Sequence, residues 1–174
     1  MASGLDVRRG EPLDVAAPAG IRRATRGDAG AIAQMINGAF AIEREFIDGD
    51  RISVEDVRAL IDTGEFLAAT TETGRPVGCI YVESRPPTGY IAELAVDREH
   101  REAVVGSRLL AAAEARCRGR GCASVEIRVL NLRPELFPFY RRRGYVECGT
   151  EPLSMEAVRR ARRPCQFIRM KKQL

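Results

Sequence analysis

Between Tyr90 and Leu110 an apolar run gives way, within a few residues, to helical spacing. That switch restricts the chain to folds in which a strand feeds directly into a helix. Tyr90–Val96 is apolar apart from Glu93, and Leu109, Leu110, Ala113 and Ala115 then mark a helix ending around Gly119 and Gly121. Similar switches flank it. Ile21–Thr25 reads as a strand, and Thr25-Arg-Gly-Asp28 resembles a capping box with Asp in the Glu position. Ile32, Met35, Ile36 and Phe40 predict an amphipathic helix over 28–40. Ser53-Val-Glu-Asp56 offers a second helix start, with Val54, Val57, Leu60 and Ile61 on one face and a stop near Gly64. Ala41–Arg51 between them is an acidic loop. Phe66–Thr71 and Val77–Ser84 are strand-like, joined by the hairpin turn Glu72–Arg75. Ser124–Leu130 is a strand, Glu135–Arg143 a short helix closed by Gly144, and Tyr145–Gly149 and Gln166–Lys171 two last strands. The order is β-α-α-β-β-β-α-β-α-β-β, an α/β class without internal repeats.

At 174 residues there is room for one domain. Residues 1–19, rich in Gly, Pro, Ala and charge, read as a flexible N-terminal arm, and 20–174 as the folded domain. No run of about 18 apolar residues is present, which excludes a membrane span. The first 20 residues lack the apolar stretch of a signal peptide. The five cysteines have no metal-ligand spacing, so no metal is expected. Their odd number suggests a reducing, cytoplasmic setting, with most of them buried as small hydrophobes. Only Lys171 and Lys172 of the 28 basic residues are lysine, and 24 acids leave a net charge of +4. No basic stripe is interleaved with aromatics, so no nucleic-acid partner is expected.

The chemistry concentrates where strand becomes helix. A helix whose first turn is Arg101, Glu102, Ala103, Val104, Val105, Gly106 and Ser107 presents free N–H groups and a positive dipole end to an anion. Gly106 lets a phosphate approach the backbone, Arg101 and Arg108 add charge, and Ser107 adds a hydroxyl. The GxxxxGK[ST] phosphate loop of nucleotide hydrolases is absent, and no GxGxxG dinucleotide fingerprint follows a strand.

LAVDREHREAVVGSRLL resembles the pyrophosphate-binding motif of the GNAT superfamily of acyl-CoA-dependent N-acetyltransferases, with Arg101 in its first position and Gly106 in its last. SVEIRVLNLRPELFPFYRRRGY, Ser124–Tyr145, is similar to that family's next strand, its Asn, and its "FY…GY" helix. The likeness covers the chain from about Gly20 to its end. It implies a curved mixed central sheet of six to seven strands flanked by about four helices. It also implies acetyl transfer from acetyl-CoA, as co-substrate, to a primary amine by direct attack in a ternary complex. The diphosphate would rest on the backbone from Arg101 to Ser107, and the pantetheine arm would pair with Leu94, Ala95 and Val96. The N–H of Ala95 or Val96 would donate to the thioester carbonyl.

The resemblance makes Tyr140 the general acid for the leaving thiolate, the alternative being packing on Phe137 and Phe139. Glu93 is a candidate base; alternation along the strand equally permits a solvent-facing role, with Ile91, Glu93 and Ala95 sharing a face. Asn131 would bond the cofactor backbone or form a turn before Arg133-Pro134. His100 is expected to be solvated, and Cys79 to be a core thiol. The motif's first glycine is Val104 here, which motivates a second reading, a non-catalytic acyl-CoA-binding module. The acidic loop lies where the family places its acceptor segment and would attract a cationic amine, or else is simply solvated. The acceptor is expected to be a small molecule or a peptide; dimers are common in the family, which leaves a homodimer open.

Overall fold

The computed structural model describes residues 20–100 and 104–174. The predicted arm, 1–19, and Arg101, Glu102 and Ala103 lie outside the described residues. Seven strands form one mixed sheet in the order β1-β2-β3-β4-β5-β7-β6. They are β1 (Gly20–Arg23), β2 (Glu65–Thr70), β3 (Pro76–Arg85), β4 (Thr88–Val96), β5 (Ser124–Leu130), β6 (Val146–Pro152) and β7 (Gln166–Gln173). Among the described residues five α-helices accompany them: α1 (Ala29–Ala39), α2 (Val54–Thr63), α3 (Val104–Gly119), α4 (Phe137–Arg141) and α5 (Met155–Arg160). α5, between β6 and β7, has no counterpart in the predicted order. No helix among the described residues is long and apolar enough to cross a membrane.

Local signals explain the helix starts. Asp28 Oδ2 accepts from Thr25 N at 2.8 Å, closing the predicted box around a short 3-10 turn that leads into α1. Ser53 Oγ accepts from Asp56 N at 3.1 Å, and Asp56 returns the bond to Ser53 N at 2.9 Å. Gly74 in the β2–β3 hairpin and Gly144 after α4 take φ of +83° and +88°, where a side chain would be strained. Ala41–Glu45, expected to be open loop, winds into a 3-10 helix.

Around β2–β4 the sheet is covered on both faces. α3 packs one face through Val105, Leu109 and Leu110 against Leu67, Ile80, Val82 and Ile91. α1 and α2 pack the other through Ile32, Ile36 and Val57 against Phe66, Ala68 and Tyr81. Period-two alternation in β2 sends Phe66 and Ala68 one way and Leu67 the other, so all six residues of the strand are buried. At Gly78 a Cβ would lie 2.9 Å from Leu109 and Val105 side chains, so glycine lets α3 settle closely on β3.

Two irregularities shape β4. Its pairing with β5, the sheet's parallel contact, covers Thr88–Tyr90 against Ser124–Glu126 and then stops, while β5 stays paired to β7 along its whole length. The strands therefore part beyond Tyr90. Second, Cys79 faces Ala95 while Tyr81 faces Ala92, so β4 holds an extra residue, and Glu93 has a φ of +50°. This β-bulge corrects the expected alternation. Ile91, Leu94 and Val96 meet the α3 side, whereas Tyr90, Ala92 and Ala95 meet the α1–α2 side.

Candidate active site

The parting of β4 and β5 opens a cavity of about 540 Å³. Leu94, Val96 and Gly106 form its wall beside α3, and Tyr140 its wall beside α4. Its charged part is made by Glu43, Arg51, Glu93, Arg128 and Arg133. Asp97 N donates to Val77 O at 2.9 Å, toward β3. Alternation of the strand's N–H groups therefore turns that of Val96 to the β5 side, and Ala95 stays buried under the wall.

α3 meets this cavity at its first turn. Val104 lies in helical backbone, has no positive φ, and is 59% exposed, so replacing the motif glycine strains nothing here. Val105 is buried beneath it, and a Cβ on Gly106 would come only to 3.7 Å from Val96. Ser107 Oγ accepts from Nη2 of Arg143. Arg143 also donates to Phe139 O at 2.8 Å and stacks 3.6 Å from the Phe139 ring centre. It thus ties the segment after α4 to the start of α3, a cation beside the first turn of α3 that sequence reading missed.

Tyr140 packs edge-on against Phe139 at 5.1 Å and Tyr145 at 5.7 Å, so it both packs as expected and lines the cavity. Burial pushes its phenol up to about 12, the Glu93 charge adds to this, and Arg133, Arg143 and Arg51 oppose it. The proton therefore stays on Tyr140 across the neutral range.

Glu93 lines the cavity rather than a solvent face. Both its oxygens accept from Arg51, at 2.7 and 3.0 Å. Arg51 also donates to Glu43 at 2.8 Å, and Glu43 accepts from Arg133 at 3.1 Å. Burial works against the charge of Arg51, but Glu93 and Glu43 outweigh it and hold the guanidinium above its ordinary value. Most of the acidic loop is engaged: Glu43 is taken by Arg51 and Arg133, Asp50 by Arg44, and Asp48 by Arg162, while Glu45 is exposed.

Two expected positions behave differently, and a third behaves as expected. Asn131 is not among the described residues lining the cavity; its Oδ1 accepts from Gln166 N at 3.0 Å, tying β5 to the start of β7. His100 is buried, not solvated, because the 3-10 turn Arg98–His100 folds it inward, and its Nδ1 has no hydrogen-bond partner among the described residues. Cys79 is a core thiol, its proton affinity raised by burial. Arg51, Arg133 and Arg143 gave no signal in sequence because each finds its partners through the fold.

Several solved structures share this architecture. A ribosomal-protein-alanine N-acetyltransferase from Brucella melitensis is 22% identical, with 88% of this chain and 99% of that one covered and a TM-score of 0.69. Ard1 from Thermoplasma volcanium is 19% identical, with coverages of 89% and 97% and a TM-score of 0.69. A Mycobacterium tuberculosis protein solved in complex with CoA and NLQ is 17% identical, with coverages of 88% and 98% and a TM-score of 0.65. No curated protein matches the sequence. The model of the acetyltransferase (GNAT) family matches residues 34–145. With its parted strands and the family's sequence pattern over most of its length, the chain belongs to the GNAT acetyltransferase family.

Proposed function

We propose that the protein transfers an acetyl group from acetyl-CoA to a primary amine, by direct attack in a ternary complex. The observation that carries this reading is the gap between β4 and β5, with Gly106 and Tyr140 on the wall of one cavity. The fold supports acyl transfer from acyl-CoA in general terms. The residues present fit such a co-substrate: the β4–β5 ladder ends at Tyr90, and a Cβ on Gly106 would come no closer than 3.7 Å to a neighbour, leaving its backbone approachable. The thioester supplies the activated acyl carbon. The helix start from Arg101 to Ser107 would hold the diphosphate, with Arg143 beside Ser107 as a fixed cation. Leu94, Ala95 and Val96 would flank the pantetheine arm, and the Val96 N–H would donate to the thioester oxygen. Tyr140 would give its proton to the departing sulfur. Glu93, oriented by Arg51, would take the amine's proton through a bridging water. We place the reaction in the cytoplasm, which the five free thiols support.

The test is thiol release over a panel of amines, with acetyl-CoA and bulkier acyl-CoAs as donors and a blank for the protein's own cysteines. Release that needs both acetyl-CoA and an amine is the expected result. Stabilisation by acetyl-CoA without release from any amine would instead favour the non-catalytic binding module.

A further inference from the structure

A second cavity, of about 400 Å³, adjoins the first and shares Phe40, Glu43, Arg51, Arg128 and Phe167 with it. That volume falls within the range of small-molecule sites, roughly 300–1,000 Å³. Its apolar wall is assembled from distant parts of the chain: Phe40 after α1, Ile47 beyond the 3-10 helix, Leu153 and Ala157 around the start of α5, and Phe167 on β7. All but Phe40 belong to one apolar cluster with the buried Phe46 and Leu130. Backbone bonds brace that cluster, from Asp48 N to Arg160 O at 2.9 Å and from Arg162 N to Phe46 O at 2.8 Å. The wall is therefore formed before a ligand arrives.

The polar side chains of the same cavity are already engaged. Asn37 donates to Ile52 O at 2.8 Å and accepts from the N–H groups of Arg51 and Ile52 at 2.9 and 3.1 Å. Ser154 Oγ accepts from Ala157 N at 3.2 Å. Glu43 is held by Arg51 and Arg133, Glu151 by Arg128, and Arg44 by Asp50. Arg160 donates to the carbonyls of Asp48 and Asp50 and lies 3.9 Å from Glu156. Each charged side chain on this wall thus has an opposite charge beside it. A charge brought in on a ligand would give up its water with no unpaired counter-charge to receive it, which is costly. An apolar group gains by the same move.

We propose that the acceptor is a monoamine with an apolar, uncharged body. The body fills the second cavity against Ile47, Leu153, Ala157 and Phe167, and the amine reaches into the first. A second ammonium group, or a carboxylate, at the far end of the body makes a poor acceptor. The proposal rests on the acyl-transfer reading for the amine's fate, but not for the apolar site itself.

Compounds matched in body and differing only at the far end test it: hexylamine against 1,6-diaminohexane and 6-aminohexanoate, and phenethylamine against 4-(2-aminoethyl)benzoate. The full chain is assayed for thiol release with acetyl-CoA, and its melting temperature is measured with each compound alone. In at least one series the uncharged member should exceed its charged analogues about tenfold or more in kcat/KM, and should raise the melting temperature more. Ala157→Asp places a carboxylate on the wall, and there the preference for hexylamine over 1,6-diaminohexane should fall about tenfold. An unchanged preference in that variant, once its own melting temperature shows it folded, overturns the placement; the series on the unmodified chain decides the acceptor class without it. Equal or better use of the charged analogues in both series overturns the proposal and leaves acyl transfer standing. A rise in melting temperature confined to the uncharged amines, with no thiol release, supports the apolar site and overturns the transfer reading. Neither release nor a rise with any compound overturns both.

Discussion

Two buried carboxylate clusters use the same chemistry for different ends. Glu65, at the start of β2, is 1% exposed and is gripped by Arg116 at 2.8 and 2.9 Å, with Arg120 at 3.1 Å and Arg23 at 3.7 Å. It lines neither cavity described above, and its arginines reach in from α3, the turn after it and β1. The second cluster, Glu43–Arg51–Glu93–Arg133, has similar distances but forms a cavity wall beside Tyr140. Geometry alone does not separate a fastener from working machinery; what the pairs face does. A buried ion pair adds little net stability, yet removing one partner leaves a costly orphan in either place. The two clusters should therefore separate by kinetics and not by their sensitivity to mutation.

The sharpest break in the comparison comes from Tyr140, which only the second cluster touches electrostatically. Tyr140→Phe should lower kcat by about 10- to 1000-fold with CoA binding nearly intact. Unchanged turnover would remove the phenol from the reaction and reduce the second cluster to another fastener. Next comes Glu93→Gln, which keeps the shape of the side chain and takes away its charge. We expect kcat to fall about tenfold while Arg51 remains paired to Glu43. An equal fall in stability with no kinetic effect would erase the distinction.

Arg143→Ala should raise the KM for acetyl-CoA about fivefold. An acetylated pantetheine donor, which lacks the diphosphate, should show no such rise; a rise for both would place Arg143 in packing alone. Glu65→Gln should leave kcat/KM intact and cost about 2 kcal/mol, less than a fully buried pair would, because its arginines are partly exposed. That corresponds to a fall of roughly 5 °C in Tm for a chain of this size.

The smallest effects concern pH. The bonds from Arg116, followed by the charges of Arg116, Arg120 and Arg23, hold the Glu65 carboxyl below its ordinary value against its burial. The folded state therefore binds this proton less readily than the unfolded chain does. The stabilisation is complete above the ordinary carboxylate range and is lost as pH falls through the lower folded value. An acid titration of Tm should lose part of this slope in Glu65→Gln. Tyr140, at about 12, should add no descending limb to the rate profile through the alkaline range up to about pH 11. A limb near pH 10 would contradict the burial that sets its value.

Much of the fold was legible because the information was local. Ser53 and Asp56 announce α2 within four residues, and Gly144 ends α4 by its own conformational freedom. The Tyr140 and Gly106 positions came through the family pattern, and both line the cavity. The bulge at Glu93 was not legible, because a glutamate at positive φ breaks the expectation that such positions hold glycine. The arginine clusters were hidden for another reason. Arg51 and Glu93 are 42 residues apart, and Glu43 and Arg133 are 90 apart, so no periodicity links them. His100 shows the same limit: a polar residue between charges reads as surface until the turn folds it inward.

The three paired residues that join β4 to β5 also have a mechanical meaning. Every other neighbouring pair in the sheet is bonded over four or more residues. Under load, this seam is where the sheet would crack first, with β1–β4 on one side and β5–β7 on the other. The loop at Gly121 crosses from one half to the other, so the chain offers a natural cut site for a two-fragment reporter. A molecule laid along the gap would act as a cross-brace, and its arrival would register as stiffness before it registered as chemistry.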